Sequence, residues 1–439
     1  MGLTQVSVKP NGLLLRRCLI ISPYFPPSTL AGVHRARHLV KHLPAHGWEP
    51  TVVCVDPAHH IEPLDPGLRA LVPALAHVVQ TGAISMRLTA PFGLRGDLGL
   101  RGLLHLRAAV AQQIQTARPK AVLITGSPFF PMLLSRWISR KFGVPVMLDF
   151  QDPWASNEGA GRARWTKGWL AHRLAVVLEP RALAAASWVT SVSARQNLEL
   201  LQRYSWLDPA RMSAIPIGGD PDDFISVRAA TQVARAVDPG LLTFSYVGTA
   251  LPRADPLLAV LFEAVAQLRT KQPQLASRIR LRFVGTSNQP AGTGAYRALP
   301  LARAADVADQ VTEEPARVPF LDALRILAST HAVLMIGSDE PHYTASKIYP
   351  ALMSGRPFLS IFHESSSAHE ILAGAGGGAA VAWSEARPRA AMVAVVAEAL
   401  GRLVSDASTF GTVDPSAYAQ FTAHAVAGQF AEAFEGMAK

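Results

Sequence analysis

Short apolar runs alternate with glycine- or proline-bearing loops and amphipathic segments along this chain. The first run, residues 18–21, is followed by a loop that closes at Gly32. An amphipathic stretch with apolar Val33 and Leu39 comes next, and a second apolar run covers residues 51–56. Runs of this kind are typical of strands buried on both faces of a parallel sheet. Strand, loop, helix and strand in this order predict a βαβ unit.

The alternation stops near residues 220–240, where Asp, Pro and Gly give turn signals, and then starts again. This predicts an α/β fold of two tandem Rossmann-like domains with a cleft between them, at residues 13–225 and 240–410. Residues 411–439 are predicted to form a helical segment at the domain junction. The other predicted strands are residues 121–125, 144–149, 188–192 and 214–217 in the first series and 242–248, 279–285, 332–337 and 357–361 in the second.

Composition agrees with two well-packed domains. The chain has 439 residues, of which 49% are hydrophobic and 17% charged, so each half can bury a large core. The net charge of +10 favours an anionic partner: nucleic acid, an acidic membrane surface or a phosphorylated substrate. The basic residues are spread along the chain without a zinc-finger or RNA-recognition signature, which argues against nucleic acid.

Cysteine content and hydropathy bear on where the protein works. Cys18 and Cys54 both lie in apolar runs, which favours two small buried hydrophobic side chains over a disulfide framework. The first ten residues lack the features of a signal peptide, and no apolar run approaches the ~20 residues needed to span a bilayer. We therefore expect a cytoplasmic protein whose membrane contact, if it has any, is peripheral.

Ligands of open parallel sheets bind beyond the carboxyl ends of the strands, so the residues that follow predicted strands matter most. Gly32 precedes a helix whose N–H groups attract anions, although it could equally be a plain turn glycine. Asp149, Asp152 and Trp154 follow a buried strand and are predicted to contact substrate. The alternative for Asp149 is that it braces the following loop.

The second half has matching positions. Gly248, followed by Thr249, and Gly285 end two predicted strands, and a glycine there lets a ligand approach the backbone closely. Arg253 follows the first of them and has the geometry to pair with a diphosphate, or it is an exposed loop cation.

The densest cluster runs from Ser346 through Lys347 to Tyr349. We predict that Ser346 caps the helix that Lys347 enters, which places free N–H groups and an ammonium near one point. This arrangement suits a leaving nucleoside diphosphate, whose negative charge grows as its bond breaks. The alternative is a capped amphipathic helix with a solvated lysine.

Several common chemistries have no motif in this chain. The fourteen histidines show no metal-ligand spacing, so we predict no metal site. No phosphate-binding loop of the Gly-x-x-x-x-Gly-Lys-Ser/Thr type and no Gly-x-Ser-x-Gly elbow occur, which disfavours an ATPase and a hydrolase of that kind. We predict no bound cofactor.

Six loose motifs occur in a fixed order, at residues 20–27, 149–154, 189–193, 215–220, 246–249 and 346–349 through 354–357. Together they resemble the glycosyltransferases of family 4, and the resemblance covers about residues 15 to 435. The resemblance implies a GT-B fold and retaining, metal-independent transfer of a sugar from a nucleotide-sugar donor to a glycan or lipid-linked acceptor.

The resemblance also implies roles for individual residues. Donor contacts would come from Gly32, Gly248, Thr249, Gly285, Ser346, Lys347 and Tyr349, and acceptor contacts from Asp149, Asp152 and Trp154. Arg253, Lys347 and Asp152 would carry catalysis, the two cations by neutralising the diphosphate in place of a metal.

The chain departs from the family pattern at the donor site. Relatives commonly carry two glutamates eight positions apart, where this chain has His342 and Pro350, and Glu340 lies two residues away. Asp255 stands near a position where a lysine is common, and His331 replaces a usual aspartate. These departures keep open a non-catalytic nucleotide-sugar-binding protein, and a sugar-nucleotide epimerase shares the architecture.

Two basic stretches suit an anionic membrane that presents a lipid-linked acceptor. One contains Arg87, Arg95, Arg101 and Arg107, and the other is residues 162–169 with two tryptophans. The alternative is a set of ordinary helices with solvated arginines.

Overall fold

The computed structural model describes residues 15–89, 97–155, 157–225, 227, 240–250, 252–287, 289, 294–339 and 346–437. These residues form two compact units. The first runs up to Ile217 and resumes at Ala423, and the second is the continuous segment Gly218–Thr422.

The first unit contains a seven-stranded parallel sheet in the order β3-β2-β1-β4-β5-β6-β7. Its central strands are buried along nearly their whole length because helices cover both faces, and this explains their continuous apolar sequences. The strands are β1 Arg16–Ile21, β2 Trp48–Val55, β3 His77–Thr81, β4 Ala121–Gly126, β5 Val146–Phe150, β6 Trp188–Ser191 and β7 Met212–Ala214.

Helices pack on the two faces of this sheet in two clusters. One cluster includes Leu106 and Ile138, and the other joins Leu39 to Phe430 and Phe434 near the end of the chain. The final helix is therefore part of the core of the first unit. The helices are α1 Val33–His42, α2 Met86–Thr89, α3 Leu98–Ala117, α4 Leu134–Phe142, α5 Asn157–Ala160, α6 Lys167–Leu183, α7 Ala194–Arg203 and, from the end of the chain, α16 Ala423–Met437.

Both cysteines lie inside this first core. Cys18 and Cys54 are free thiols, each 1% exposed, and burial raises the pKa of both. They act as small apolar side chains, as predicted.

The second unit contains a six-stranded parallel sheet in the order β10-β9-β8-β11-β12-β13. The strands are β8 Leu242–Val247, β9 Ile279–Val284, β10 Val311–Glu314, β11 Ala332–Ile336, β12 Phe358–His363 and β13 Gly378–Trp383. The helices are α8 Asp255–Lys271, α9 Pro273–Ala276, α10 Ala298–Ala304, α11 Phe320–Ser329, α12 Ile348–Met353, α13 Ser367–Ala375, α14 Arg389–Asp406 and α15 Pro415–Tyr418.

Each sheet has a point where the strand order reverses. In the first sheet β1 lies between β2 and β4, and in the second β8 lies between β9 and β11. Open α/β sheets bind ligands beyond the carboxyl ends of the strands at such a reversal. The two-Rossmann prediction is confirmed, and the loops after β1, β4, β8 and β11 become the places to look for a site.

Candidate functional site

The loop after β8 is built around Gly248, whose φ is +124°. This backbone conformation is reserved for glycine, because a Cβ would clash with the chain. A Cβ on Gly248 would also lie 3.5 Å from Cδ of Lys347. Two predicted donor residues that are far apart in sequence therefore meet at the strand-order reversal of the second sheet.

The Lys347 ammonium is held against the end of β8. It donates a hydrogen bond to the Tyr246 hydroxyl and another, 3.3 Å long, to the Thr249 carbonyl. The Tyr246 hydroxyl in turn donates to the same carbonyl at 2.9 Å, and Nζ lies 4.2 Å from the centre of the Tyr246 ring. Burial lowers the pKa of Lys347 from its usual 10.5 to about 7. The lysine is thus fixed in place and titrates near neutral pH.

The capping role predicted for Ser346 is wrong. Helix α12 begins at Ile348, its N-cap residue is Lys347, and no side chain caps it. Ser346 is exposed and contributes its backbone carbonyl, which accepts from the Tyr349 N–H at 3.3 Å. The helix starts one residue later than the capping pattern requires. Ser346 therefore precedes the N-cap residue, and its hydroxyl caps no N–H group of the helix.

Tyr349 is a core residue of the second unit. It is 3% exposed, and its ring lies 5.2 Å from that of Phe421. A role for its side chain in donor binding therefore finds no support in its position. Pro350, where a carboxylate is expected, lies in the first turn of the same helix, and Glu340 and His342 lie outside the described residues.

Arg253 joins the two loops that flank the strand-order reversal. It follows β8, and its Nε donates to Oδ1 of Asp339 at 2.7 Å, while the Asp339 N–H donates to the Arg253 carbonyl at 3.1 Å. Asp339 comes shortly after β11, the neighbour of β8 in the sheet. The guanidinium side chain is 58% exposed, so it can reach an anion while keeping this partner.

The glycine loops provide space and not hydrogen-bond donors. The Gly248 N–H donates to the Val284 carbonyl at 2.9 Å, and the Gly285 N–H donates to the Glu314 carbonyl at 2.8 Å. Gly285 has φ +75°, and a Cβ there would lie 3.8 Å from the Gly248 nitrogen. The backbones of the two glycine loops therefore lie close together beside Lys347, and the absence of a side chain at each glycine lets a ligand approach them closely.

Two other departures from the family pattern have structural roles. Nδ1 of His331 accepts from the Thr243 N–H at 2.9 Å, which ties the start of β11 to β8. Asp255 is the first residue of α8, where a carboxylate favours the positive end of the helix dipole, and it lies 3.8 Å from Arg297.

In the first unit, Gly32 lies at the N-cap of α1, directly before Val33. A Cβ on Gly32 would lie 3.3 Å from Oε1 of Gln151 and 3.5 Å from the Ser127 carbonyl. Its φ of −59° is open to any residue, so close packing of three loops, after β1, β4 and β5, accounts for the glycine.

Asp149 braces the sheet, and the prediction that it contacts the acceptor is wrong. Its carboxylate is fully buried, accepts from Arg35 Nε at 3.0 Å and accepts from the Thr190 hydroxyl at 2.9 Å. Arg35 also donates to the Pro216 and Ile215 carbonyls. Burial raises the pKa of Asp149, and the Arg35 guanidinium opposes that shift by favouring the carboxylate.

Asp152 and Trp154 remain at the ligand edge of the first sheet. Asp152 is exposed, yet neighbouring protein atoms desolvate its carboxyl and raise its pKa. Trp154 is half-buried and stacks on Phe129, with 5.4 Å between ring centres and 8° between planes. The structure therefore presents one carboxylate and one aromatic surface here.

Of the two basic stretches, the first is only partly a surface. Arg101 is 3% exposed and donates to the carbonyls of Ile84 and His59, so its predicted surface role is wrong. Arg95 lies outside the described residues, and the Arg107 guanidinium lies 4.8 Å from the Trp137 ring centre. None of the helices in the described ranges has the length and apolar character to cross a membrane.

Comparison with known proteins agrees with this architecture. The solved structures with a similar fold include sucrose-phosphate synthase from Thermosynechococcus elongatus (TM-score 0.61, 16% identity, covering 96% of this chain and 98% of that one). They also include Anabaena HepE in complex with UDP and glucose (TM-score 0.56, 15% identity, covering 96% and 100%). A third is WaaG, a glycosyltransferase involved in lipopolysaccharide biosynthesis (TM-score 0.53, 14% identity, covering 97% and 98%). At these identities the likeness shows the fold, which is GT-B. No sequence among curated proteins matches this chain.

The sequence of the first unit matches the model of a known domain. Residues 31–218 match the glycosyl transferase 4-like domain. This match covers less than half of the chain, and it agrees with the predicted resemblance to family 4-type glycosyltransferases and with the GT-B fold.

Sequence reasoning missed Tyr246 and Asp339, the partners of the two predicted cations. Both follow the rule that already pointed to Gly248, since Tyr246 is near the end of β8 and Asp339 comes just after β11. Reading polar residues at every central strand end would have found them.

Proposed function

We propose that this chain transfers a sugar from a nucleotide-sugar donor, bound by the second unit, to a glycan or lipid-linked acceptor bound by the first. The reaction is retaining and independent of metal, and it takes part in making a cell-surface polysaccharide or glycolipid. The protein works in the cytoplasm, peripherally at the inner face of the membrane.

The observation that carries the proposal is the Lys347 ammonium fixed beside Gly248 by Tyr246 and the Thr249 carbonyl. When the bond between the anomeric carbon and the diphosphate oxygen breaks, its electrons stay on that oxygen. Lys347, with Arg253 on the adjoining loop, neutralises the growing charge, and a cation already in position needs little reorganisation to do so. The acceptor hydroxyl oxygen forms the new bond to the anomeric carbon, and its proton passes to an oxygen of the departing diphosphate.

The donor is expected to be a uridine nucleotide sugar. HepE was crystallised with UDP and with UDP-glucose, and a trehalose-6-phosphate protein of similar fold from E. coli with UDP-2-fluoro glucose. UDP-sugars are therefore the first donors to test, followed by the ADP- and GDP-sugars.

Asp152 and Trp154 are the acceptor side of the proposal. Trp154 is stacked on Phe129 and half-buried, so the exposed part of its indole is what can contact a sugar, and Asp152 offers an exposed carboxylate that can accept hydrogen bonds from hydroxyl groups. In this proposal the Asp152 carboxylate faces the anomeric carbon of the donor sugar.

The test is a transfer assay with a panel of nucleotide sugars, comparing Lys347→Ala with Lys271→Ala. Lys271 is an exposed lysine near the end of α8, in the same unit, so its loss controls for a change of net charge. We expect Lys347→Ala to lose turnover and Lys271→Ala to keep it. Equal turnover in the two variants would refute the assignment of Lys347.

Pro350 gives a reason to test a second candidate, a nucleotide-sugar-binding protein without catalysis. The carboxylate found in relatives is absent at this position of α12, and this removes an expected contact to the donor. Binding of UDP-glucose without hydrolysis, transfer or epimerisation would favour this candidate. An epimerase would convert the donor without any acceptor.

A further inference from the structure

Helix α6 turns a row of apolar side chains toward solvent. Leu170, Leu174 and Val177 are 52%, 46% and 47% exposed. Their spacing of four and then three residues places them on one side of the helix, and we call this row the α6 stripe. The opposite side is buried through residues such as Ala175 and Ala182. Helices on a protein surface normally show polar residues where α6 shows this stripe.

Two tryptophans lie at the start of the helix, Trp165 before it and Trp169 in its first turn. Trp165, which precedes the N-cap Thr166, is 80% exposed, and its ring centre lies 5.4 Å from that of Trp169. A large aromatic side chain this exposed leaves apolar area in water that a partner could cover. Tryptophan is also enriched where proteins meet the interface of a membrane with water.

Within residues 159–178, which directly follow Glu158, the charged residues are all positive. Residues 159–178 include Arg162, Arg164, Lys167 and Arg173 and no Asp or Glu. Helical periodicity puts Arg173 on one side of the α6 stripe and Lys167 on the other. The next acid, Glu179, is buried and accepts from Arg203 and Tyr204, so it does not neutralise this face.

We infer that the α6 stripe, with Trp165 and the surrounding cations, docks this chain on an anionic lipid membrane. The apolar side chains enter the boundary between headgroups and acyl chains, and the cations contact the anionic headgroups. A second copy of the chain is a poorer occupant, because pairing the same face with itself would bring like charges together. The inference adds to the proposed function that the acceptor carries a lipid anchor. Only this statement about the acceptor rests on the proposed function, and docking on the membrane does not.

The experiment is sedimentation of the full chain with vesicles, without nucleotide sugar. Vesicles of phosphatidylcholine alone are compared with vesicles of phosphatidylcholine and phosphatidylglycerol in equal amounts. We expect binding to the anionic vesicles that weakens as salt is added. The triple variant Arg164→Gln, Lys167→Gln, Arg173→Gln should bind on the order of a hundredfold more weakly, since each cation near such a surface contributes about fivefold.

The apolar part of the face has its own variant, Leu170→Ser with Leu174→Ser and Val177→Ser. We expect a loss on the order of a hundredfold, since each half-exposed side chain contributes about fivefold. The matched control is Val395→Ser with Arg303→Gln, both exposed on helices of the second unit, which should bind as the unchanged protein does. Brominated phosphatidylcholine should quench less tryptophan fluorescence in Trp165→Phe.

Three results would overturn the inference. The unchanged protein could fail to bind anionic vesicles, or both triple variants could bind as well as it does. Alternatively, sedimentation velocity could show that the variants turn a dimer into a monomer while vesicle binding is unaltered, making the face a subunit interface. Circular dichroism of each variant shows that it is folded. A protein that binds vesicles but transfers no sugar would count against the proposed function and leave this inference standing.

Discussion

Donor binding should weaken above neutral pH because Lys347 loses its proton there. Burial lowers the pKa of Lys347 to about 7, and a diphosphate placed beside it must raise that pKa again by favouring the ammonium. Binding therefore takes up a proton whenever the free protein is deprotonated. At pH values well below 7 the lysine is already charged, and the affinity no longer depends on it.

The size of the effect follows from the fraction of charged lysine. One unit above a pKa of about 7, about one lysine in ten is still protonated, so affinity falls about tenfold, or about 1.4 kcal/mol. The same linkage sets the largest number of protons that binding can take up. At high pH, where free Lys347 is deprotonated, this number is about one proton for each donor molecule bound.

The assay is calorimetric titration with UDP-glucose across the neutral range, in pairs of buffers with different heats of ionisation. The diphosphate of a sugar nucleotide carries no proton that is lost in this range, so proton uptake reports on the protein. Lys347→Arg, which keeps its charge, should bind without this dependence, and Lys347→Gln should bind weakly at every pH. A pH slope that persists in Lys347→Arg, or no proton uptake by the unchanged protein, would refute the reasoning.

Three further substitutions test other parts of the two units. Asp149→Ala should lower the free energy of unfolding by roughly 3–5 kcal/mol in a urea titration, because it leaves the buried charge of Arg35 without a carboxylate. The same change at the exposed Asp152 should cost about 0.5 kcal/mol or less. Gly248→Ala should cost roughly 1–3 kcal/mol of backbone strain and raise the KM for donor, and an unchanged KM would contradict the close approach argued for this loop. Asp339→Ala should change the free energy of unfolding by no more than about 1 kcal/mol, since its ion pair with Arg253 is partly exposed. It should raise the KM for donor, because Arg253 loses the partner that holds its guanidinium; an unchanged KM would show that the pair does not position this group.

The sequence predicts the centre of each sheet better than its edges. Central strands such as β4 and β11 are continuous apolar runs because both of their faces are buried. The edge strands β3, β10 and β13 were missed, since they are partly exposed and mix polar with apolar residues. The predicted strand at residues 214–217 lies instead at Met212–Ala214, also an edge.

Site residues can be predicted from the sequence when their role depends on local structure, and not when it depends on a partner far away in the chain. Gly248, Lys347 and Arg253 remain predicted site residues, and each was predicted because it follows a strand or begins a helix. Asp149 satisfies the same rule, and what decides its role is Arg35, 114 residues earlier in the chain. A partner so distant in sequence leaves no local pattern around Asp149. The burial of its carboxylate therefore could not be predicted from the sequence and is seen only in the folded structure.

The C-terminal helix has a consequence for how the protein is made. Phe430 and Phe434 of α16 complete a core whose other members, such as Leu39 and Trp48, lie near the start of the chain. A ribosome has therefore synthesised the whole of the second unit before the first unit can close its own hydrophobic core. The continuous segment Gly218–Thr422 has all its residues earlier, and it can finish folding while the first unit waits. In a nascent chain that stops before Ala423, we expect the C-terminal unit to become protease-resistant and the N-terminal one to remain exposed to chaperones and proteases.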